Sequence, residues 1–411
     1  MNKKVIIISL ITIFLLSSFS NITLSKTHVD VKITSDILIV DNEGDGDYKK
    51  ISTAIKNAKP GDTIEVYSGR YKEHLEINKQ IILKGIPAEL DNGCNSGPPI
   101  IDGSNYGDVV LIQSEGCEIS GFKVVNSGRK FSMKSGIKIK ANNCKVTGNI
   151  LKNNYMGISS GKQVNCTVIN NTVYNDVFGI YMGKTINSNI SNNTLFNTGF
   201  IVGGPFENVL TNTIKGNLVN NKPIYFFLNE TDLFISNIDA GQIFINHCCN
   251  LTVENLTIKD TSIGIVVSYS SNLKFRNNTL ENIHRGGISL HGDNCQVYNN
   301  TFKNCSYGCY LEGGIGFYVH HNNFIKCFKH DQPVISYIKK HQTFMESKNI
   351  RYDSNYWDNW IGLKIPCLKF LPKIIPGFRK AWHKDLNIFP IFEFDRYPAS
   401  EPYFLNSYTN N

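Results

Sequence analysis

The sequence has few of the residues that build helices or cross-links. Alanine is scarce and asparagine is abundant, which favours strands and turns. The 11 cysteines are odd in number, are spread thinly over 411 residues and form no Cys-x-x-Cys pair, so a disulfide scaffold is not expected. The sequence also lacks a glycine-rich phosphate loop and a strip of interleaved basic and aromatic residues. Nucleotide or nucleic-acid binding therefore has no support.

The first residues have the composition of a secretory signal peptide. Lys3 and Lys4 precede an uncharged apolar run from 5 to 16, and small serine residues follow it. This run is shorter than the about 20 residues that cross a bilayer, and no apolar tail closes the chain. We predict that residues 1–25 are removed. The mature protein is then secreted, at the cell surface or in a periplasm-like space, without a transmembrane anchor.

One pattern recurs about every 22 residues along most of the chain. A glycine followed by an apolar residue occurs at Gly136, Gly157, Gly179, Gly264, Gly287 and Gly308. An asparagine row follows at Asn149, Asn171, Asn193, Asn217, Asn278, Asn300 and Asn322. Within each repeat, apolar and polar residues alternate with the period of a strand. The pattern predicts an all-β fold, a right-handed parallel β-helix in which these asparagines form a column and hydrogen-bond from coil to coil.

The repeat and its interruptions divide the rest of the chain into three segments. Residues 38–90 contain an amphipathic helix that caps the N-terminus, followed by the first coils. Residues 91–327 form the regular coils, one of which is lengthened by an insertion at 223–249. Residues 328–411 form an irregular C-terminal cap and tail that is rich in lysine and arginine. A basic segment of this kind could attract an acidic glycan or anionic lipid headgroups, but a solvated basic cap is the favoured interpretation.

Short motifs along the chain resemble those of a known family. They are Asp47-Tyr48-Lys49-Lys50-Ile51, Pro60-Gly61-Asp62-Thr63-Ile64, Gly69-Arg70-Tyr71, Ala240-Gly241-Gln242 and Ser354-Asn355-Tyr356-Trp357-Asp358. Together with the Gly-Ile and Asn-Asn-Thr coils, they resemble the NosD-like, carbohydrate-binding and sugar-hydrolysis (CASH) group of β-helix proteins. The resemblance spans Leu38 to Tyr403. It implies a pectate-lyase-like fold and a role with extracellular polysaccharide, and it raises copper as a ligand because the group is named partly for a periplasmic copper-binding accessory protein.

The best polar constellation lies on the last regular coils. The repeat places His291 and Glu312 at equivalent outward positions of neighbouring strands, where a histidine beside a carboxylate can act as an acid–base pair. Arg285 is the third candidate catalytic residue. Candidate ligand-binding residues are Tyr310, His284, Asp293 and Tyr181. A strand without catalytic role fits the same pattern, because a glycosidase needs two carboxylates and Glu312 is the one acidic residue at these outward positions.

Copper ligands are sparse in the sequence. The weak candidates are His320, His330 and Cys327. Strand alternation predicts that His320 and His321 point to opposite faces, so that they cannot share one ion. The five methionines are not clustered. The sequence therefore has no strong metal signature, and the cofactor is left unknown.

Three hypotheses for function follow. The first is an exported β-helix that binds carbohydrate or has a structural role at the cell surface, without catalysis. The second is a polysaccharide lyase or glycoside hydrolase that uses His291, Glu312 and Arg285. The third is a copper-binding accessory protein. In the first two hypotheses the partner is an extracellular or cell-surface polysaccharide, including acidic ones.

Overall fold

The computed structural model describes residues 35–90, 93–128, 133–204, 206–327, 334–336, 350–358, 373–380, 388–395, 397–399 and 401–403. The predicted signal peptide at 1–25 and the copper candidate His330 lie outside these residues. Within the described ranges, no helix is long and apolar enough to cross a membrane.

Strands dominate the described structure, with two short helices, α1 (Ile51–Asn57) and α2 (Phe206–Thr211). The strands before residue 220 are β1 (Ile37–Val40), β2 (Thr63–Val66), β3 (Arg70–Tyr71), β4 (Leu75–Ile77), β5 (Ile82–Gly85), β6 (Ile100–Asp102), β7 (Val110–Ile112), β8 (Glu118–Ser120), β9 (Lys123–Val125), β10 (Ser135–Ile139), β11 (Lys145–Thr147), β12 (Ile150–Lys152), β13 (Met156–Ser160), β14 (Thr167–Ile169), β15 (Thr172–Tyr174), β16 (Phe178–Met182), β17 (Asn189–Ser191), β18 (Thr194–Phe196), β19 (Phe200–Val202), β20 (Thr213–Lys215) and β21 (Leu218–Val219). The later strands are β22 (Lys222–Leu228), β23 (Phe234–Ser236), β24 (Gln242–Asn246), β25 (Thr252–Glu254), β26 (Thr257–Lys259), β27 (Ile263–Ser271), β28 (Lys274–Arg276), β29 (Thr279–Glu281), β30 (Gly286–Asp293), β31 (Gln296–Tyr298), β32 (Thr301–Lys303), β33 (Tyr307–Gly313), β34 (Tyr318–His320), β35 (Asn323–Ile325), β36 (Val334–Ser336), β37 (Arg351–Asp353), β38 (Tyr356–Trp357), β39 (Lys373–Lys380) and β40 (Ile388–Asp395).

Equivalent strands of successive coils pair in parallel, so each coil adds one strand to each of three sheets. Val146 of β11, for example, is the register partner of Val168 of β14. Sheet 1 has the order β1-β2-β5-β8-β11-β14-β17-β20, and sheet 3 has the order β19-β16-β13-β10-β7-β4. Sheet 2 has 13 strands, β3-β6-β9-β12-β15-β18-β21-β22-β24-β27-β30-β33-β36. Sheet 4 is β23-β25-β28-β31-β34-β37-β40-β39, and sheet 5 is β26-β29-β32-β35-β38. The predicted right-handed parallel β-helix is confirmed.

The predicted asparagine column is present and buried. The Oδ1 atom of Asn171 accepts hydrogen bonds from the backbone N–H and from the side-chain amide of Asn149, at 3.0 and 3.2 Å. Asn193 does the same for Asn171, at 3.0 Å for both bonds. A second column joins Asn278 to Asn300 with two bonds of 3.0 Å. Each of these amides thus satisfies backbone groups of turns that are closed to water.

The residue before each column asparagine turns the corner between sheets. Asn170, Asn192, Asn277 and Asn299 have φ angles of 56°, 55°, 54° and 55°. Asparagine tolerates this left-handed conformation better than most residues. The two residues of each Asn-Asn pair therefore have separate tasks, because the first bends the chain and the second bonds to the next coil.

Helix α1 lies at the start of the coils, where the sequence predicts a capping helix. Its residues Ile51, Ala54 and Ile55 are buried in the same hydrophobic core as the first strands. The Glu73 carboxylate accepts hydrogen bonds from the backbone N–H groups of Ile51 and Ser52, at 2.9 and 3.0 Å. This contact satisfies two donors that have no partner inside the helix and places a negative charge at its N-terminus.

The chain reverses its direction at Asn220-Asn221. Both residues have a left-handed conformation, with φ of 51° and 62°. They connect β21 to β22 as an antiparallel hairpin in which Leu218 faces Pro223. Two successive positive φ angles are typical of the tightest hairpin turns. Sheet 2 therefore continues through this point with its strand direction inverted.

The reversal moves the hydrophobic core to the other face of sheet 2. Ile243 and Ile245 of β24 belong to one core, whereas Phe244 between them packs into the other core with Phe200 and Val219. Successive residues of a strand point to opposite faces, so β24 lies between the two cores. The structure thus contains two solenoids, which we call the first solenoid (β1–β21) and the second solenoid (β22–β38).

Side chains of the second solenoid close the last strand of sheet 3. The backbone N–H of Phe200 donates to Oε1 of Gln242, and Nε2 of Gln242 donates to the carbonyl of Phe200, both at 2.9 Å. The backbone N–H of Gly199 donates to Oγ of Ser262 at 2.8 Å. A side-chain amide here replaces the hydrogen bonds that a further strand would make, and it covers an edge that would otherwise be open.

Strands occur in two regions that the sequence predicts as irregular. The segment 223–249, which the repeat suggests is an insertion in a longer coil, holds most of β22 and all of β23 and β24. Beyond residue 327, β37 and β38 pair with β34 and β35. Asn355 extends the buried column by accepting from the N–H of Asn322 at 3.0 Å, and Asp395 accepts from Asn355 in turn at 2.9 Å.

The column predicts a large loss of stability for Asn300→Ala. This change leaves the donors of Asn278 without their acceptor in a site closed to water, so the free energy of unfolding should fall by at least about 2 kcal/mol. Urea denaturation of the purified protein measures this loss. The control is Asn304→Gly, which keeps a left-handed corner (φ 51°) and removes an exposed amide, and which should change stability by less than about 0.5 kcal/mol. Equal losses in both variants would contradict the role of the column.

Candidate functional site

Two of the three candidate catalytic residues, Arg285 and His291, are separated along strand β30. Arg285 immediately precedes β30 and His291 lies near the end of this strand. Six residues of extended chain separate the two Cα atoms by roughly 20 Å. Arg285 and His291 therefore belong to opposite ends of one strand.

A bulge changes the predicted relation between His291 and Glu312. Leu290 pairs with Leu311, but the next pair joins His291 to Gly313. The bulge makes Glu312 the extra residue of β33. His291 and Glu312 are therefore not at equivalent positions, although the repeat predicts that they are. The side chain of Glu312 lies outside the described part of the structure, and its pairing with His291 remains a prediction.

Arg285 lies at the contact between the two solenoids. Its guanidinium group is 5.7 Å from the centre of the Phe178 ring and 5.1 Å from the centre of the Tyr310 ring, and it donates a hydrogen bond to the Tyr310 hydroxyl at 3.1 Å. Tyr310 is only 3% exposed. Its ring therefore packs against the arginine and is not available as a surface for a sugar.

The remaining candidate residues are distributed over separate places. Nε2 of His284 lies 3.0 Å from the carbonyl oxygen of Asn197 in the first solenoid. Oδ1 of Asp293, at the end of β30, accepts from the backbone N–H of Ile315 at 2.8 Å. Tyr181 is half-buried on β16 of the first solenoid. The structure thus brings His284 close to Arg285 and Tyr310, and it places Asp293 near His291.

Four rings form a row that starts at α2 and continues over successive coils of the second solenoid, and we call this row the ring column. It consists of Phe206 of α2, His247, Tyr269 and His291. The ring centres are 4.0, 5.3 and 4.6 Å apart in this order, and neighbouring planes are inclined by 28°, 34° and 48°. Tyr269 is 52% exposed. Because the rings are tilted and partly exposed, they offer apolar faces beside polar atoms at the surface.

The spacing of the chain explains the ring column. His247, Tyr269 and His291 follow one another at intervals of 22 residues, so each lies on the next coil. A register shift at Tyr269 pairs His291 with Ser268, the residue before Tyr269. His247 and Tyr269 have φ angles of 53° and 49° and thus lie at corners, where other coils have asparagine. The 22-residue spacing of these rings is present in the sequence, but His247 and Tyr269 stand at corners and not at the outward strand positions where binding residues are predicted.

Several carboxylates on the outer faces of the sheets are paired with cations. Glu281 lies 2.8 Å from both Lys259 and Lys303, and hydrogen bonds from these two residues lower its pKa. Asp108 lies 3.4 Å from Lys138. A glycosidase acid needs a raised pKa so that it carries a proton at working pH. Carboxylates held by lysines favour the charged form and are poorly suited to that role.

His320 and His321 form a pair, contrary to the prediction that they point apart. Strand β34 ends at His320, and His321 has a φ of 55° at the corner where other coils have asparagine. The left-handed corner breaks the alternation of the strand, and the two Nδ1 atoms lie 2.9 Å apart. Burial, followed by the neighbouring His321, lowers the pKa of His320 to about 4. His320 is therefore neutral at neutral pH, which suits a metal ligand.

The described residues do not complete a copper site. In this part of the chain no group of three histidine, cysteine, aspartate or glutamate side chains could hold a metal ion. Cys327, a sequence candidate, is fully buried in the second core, with its Sγ 3.3 Å from the carbonyl of Phe302. The histidine pair offers two nitrogens, fewer than the three protein ligands of typical copper sites. A hydrogen bond between the two Nδ1 atoms also requires a proton on one of them.

Two family models match consecutive parts of the chain. The model described as "Periplasmic copper-binding protein (NosD)" matches residues 55–238, and the model described as "Right handed beta helix region" matches residues 241–359. The first match covers most of the first solenoid together with β22 and β23, and the second match begins just before β24. No curated protein sequence matches the chain.

Solved structures of carbohydrate-active enzymes are similar to the chain at low identity. A rhamnogalacturonan lyase shares 11% identity over 77% of this chain and 84% of its own, with a TM-score of 0.38. An alginate lyase from Paenibacillus sp. str. FPU-7 shares 16% identity over 70% of this chain and 94% of its own, with a TM-score of 0.32. Carrot pectin methylesterase shares 11% identity over 76% and 82%, with a TM-score of 0.28. These values carry no argument about activity. From the two family models and the coils of both solenoids, the chain is a right-handed parallel β-helix protein that is similar to the NosD family over residues 55–238.

Proposed function

We propose that this protein is exported and binds polysaccharide without cleaving it, with the ring column as its contact surface. The observation that carries the proposal is the row of tilted, partly exposed rings that runs from α2 over three successive coils. The C–H faces of sugar rings are apolar and pack on aromatic side chains, while Nε2 of His247 and the hydroxyl of Tyr269 can bond to sugar hydroxyl groups. A polymer lying along the column would meet one ring in each coil.

The arrangement of the candidate catalytic residues supports binding rather than cleavage. Arg285 packs between Phe178 and Tyr310 and lies far along β30 from His291. The Glu281 and Asp108 carboxylates are paired with lysines. Binding requires neither a pair of carboxylates nor a proton donor. It requires apolar surfaces and polar atoms that contact the sugar, and the ring column supplies both.

Replacement of the central ring tests the proposal. Tyr269→Asn keeps a residue that tolerates the left-handed corner and removes the ring. The loss of about 0.5–1.5 kcal/mol expected for one ring contact should weaken binding roughly 2- to 10-fold. Affinity electrophoresis in gels that contain polygalacturonate, alginate or a neutral glucan measures this effect. The double variant with His291→Asn should weaken binding further.

An exposed ring elsewhere provides the control. Tyr106 is 63% exposed and its ring centre lies 4.0 Å from that of His74, but this pair is in the first solenoid and outside the ring column. Tyr106→Ala should retain the affinity of the unchanged protein. The proposal fails if no polysaccharide retards the protein, or if Tyr106→Ala and Tyr269→Asn have the same effect. New chain ends in a bound polysaccharide that depend on His291 would favour the enzyme hypothesis instead.

Copper binding is the second candidate function, and the pair of Nδ1 atoms 2.9 Å apart favours it. In this candidate the pair would need at least one further ligand from another part of the chain or from a partner.

The variant His321→Asn tests this candidate with little risk to the fold, because asparagine occupies the same corner in the coils of Asn170, Asn277 and Asn299. If the pair holds copper, the variant should lose the metal that the unchanged protein retains after copper loading and dialysis, as measured by elemental analysis. Tyr106→Ala serves as the control. A copper content of zero in the unchanged protein, or the same content in both proteins, excludes the pair as the copper site.

A further inference from the structure

A cleft of about 300 Å³ lies where the two solenoids meet, and we call it the junction cleft. It is lined by Asn175 and Asn197 of the first solenoid and by Asp260, Asn282 and His284 of the second. Its volume is at the lower end of the range for small-molecule sites, and sites of this kind are common at interfaces between structural units. The cleft is separate from the ring column, since none of the four rings lines it.

Hydrogen bonds between the solenoids fix the shape of the junction cleft. The amide of Asn220 donates to the carbonyl oxygens of Lys259 and Asp260, at 3.0 and 2.9 Å. His284 bonds to Asn197 across the same contact at 3.0 Å. The lining residues are therefore held in place before a ligand arrives, which lowers the entropy lost on binding.

Hydrogen bonds among the lining residues show which atoms remain for a ligand. Asn197 Nδ2 donates to Asn175 Oδ1 at 3.0 Å, and Asn282 Nδ2 donates to Asp260 Oδ1 at 2.8 Å. Among the described residues, neither Asn175 Nδ2 nor Asp260 Oδ2 has a hydrogen-bond partner. The cleft therefore presents an amide donor on one side and a carboxylate acceptor on the other.

The contact of His284 determines its tautomer. The partner of Nε2 is the carbonyl oxygen of Asn197, which can only accept, so Nε2 must carry the proton. In the neutral imidazole, Nδ1 is then an acceptor. This nitrogen has no partner among the described residues and is the third polar atom available to a ligand.

We propose that the junction cleft binds one neutral sugar unit through neighbouring hydroxyl groups. A hydroxyl group both donates and accepts, so a pair of them matches two acceptors (Asp260 Oδ2 and His284 Nδ1) and one donor (Asn175 Nδ2). The single carboxylate repels anionic sugars, and no lysine or arginine lines the cleft to compensate. One carboxylate is also too few for a calcium site. This site does not depend on the proposed role of the ring column.

Binding of simple sugars to the full-length protein tests the proposal. Glucose, galactose and mannose serve as neutral probes, glucuronate as the anionic probe and calcium chloride as the cation probe. We expect at least one neutral sugar to bind saturably with a dissociation constant of about 1 mM. This sugar should perturb the magnetic resonance signals of the His284 ring nitrogens in isotope-labelled protein. It should also bind at least about 10-fold more tightly than glucuronate.

Two variants and a matched control assign the site. Asp260→Asn keeps the oxygen that accepts from Asn282 but replaces Oδ2 by an amide donor. Asn175→Ala removes the Nδ2 donor of Asn175. Each variant should weaken sugar binding at least about 10-fold. Asp232→Asn is the control, because Asp232 has a similar corner conformation (φ 54° against 54° for Asp260) and also accepts from an asparagine one coil away. It should leave binding unchanged.

The outcomes separate this inference from the proposed function. Unchanged sugar binding in Tyr269→Asn supports an independent junction cleft, whether or not the ring column binds polysaccharide. The inference is overturned if no neutral sugar binds, if calcium binds at the cleft in place of sugar, or if Asp260→Asn and Asn175→Ala bind as the unchanged protein does. Circular dichroism and thermal unfolding check that each variant is folded, and Asn175→Ala, at an exposed position, keeps the test valid if Asp260→Asn is destabilised.

Discussion

The buried asparagine amide is the interaction on which the rest of the structure depends. Each column residue satisfies a backbone N–H and a side-chain amide of the coil before it, in a turn that water does not reach. An unsatisfied amide in such a place would be costly, so the coil length can vary only outside the column turns. The interval from Asn322 to Asn355 illustrates this constraint. It is 33 residues long, compared with 22 from Asn300 to Asn322, and the hydrogen bond is 3.0 Å long in both cases.

The same constraint explains where functional side chains can accumulate. Positions one coil apart are brought into contact whatever their chemistry, and a corner that tolerates a left-handed conformation can hold asparagine, histidine or tyrosine. His247 and Tyr269 of the ring column lie at such corners, and so does His321 of the histidine pair. Histidine and tyrosine tolerate the left-handed conformation of such a corner less well than asparagine does, but the hydrogen bonds of the column do not change. The fold can thus change its surface chemistry without changing its core.

The sequence predicts the coils well because their signals are local and repeated. These signals concern residues within one or two coils. They are the Gly-Ile pairs, the asparagine row from Asn149 to Asn322 and the amphipathic pattern of α1. The structure departs from the repeat where a single residue changes the geometry. The bulge at Glu312 shifts His291 to Gly313, and the corner at His321 turns its ring toward His320. Neither event has a signature in the spacing of the repeat.

The junction could not be predicted from the repeat for a different reason. Both solenoids follow the same coil pattern, and their relation depends on the hairpin at Asn220-Asn221, which the sequence does not distinguish from the other Asn-Asn corners. Contacts such as His284 to Asn197 join residues 87 positions apart and do not follow the coil spacing. The candidate residues His284 and Arg285 lie at this junction, where they contact Asn197 and Phe178 of the first solenoid.

The bond between Gln242 and Phe200 has a consequence for how the chain acquires its structure. During synthesis, all strands of the first solenoid precede Gln242, which is 42 residues beyond Phe200. Until that residue is available, β19 leaves an unpaired strand edge, the surface at which β-proteins recruit one another into aggregates. The edge of the first solenoid at β19 is thus covered by side chains that are synthesised after it, those of Gln242 and Ser262. A second copy of the chain that reached this edge first would compete with the Gln242 side chain for the backbone of Phe200. The edge is open to such pairing while the residues between Phe200 and Gln242 are being synthesised.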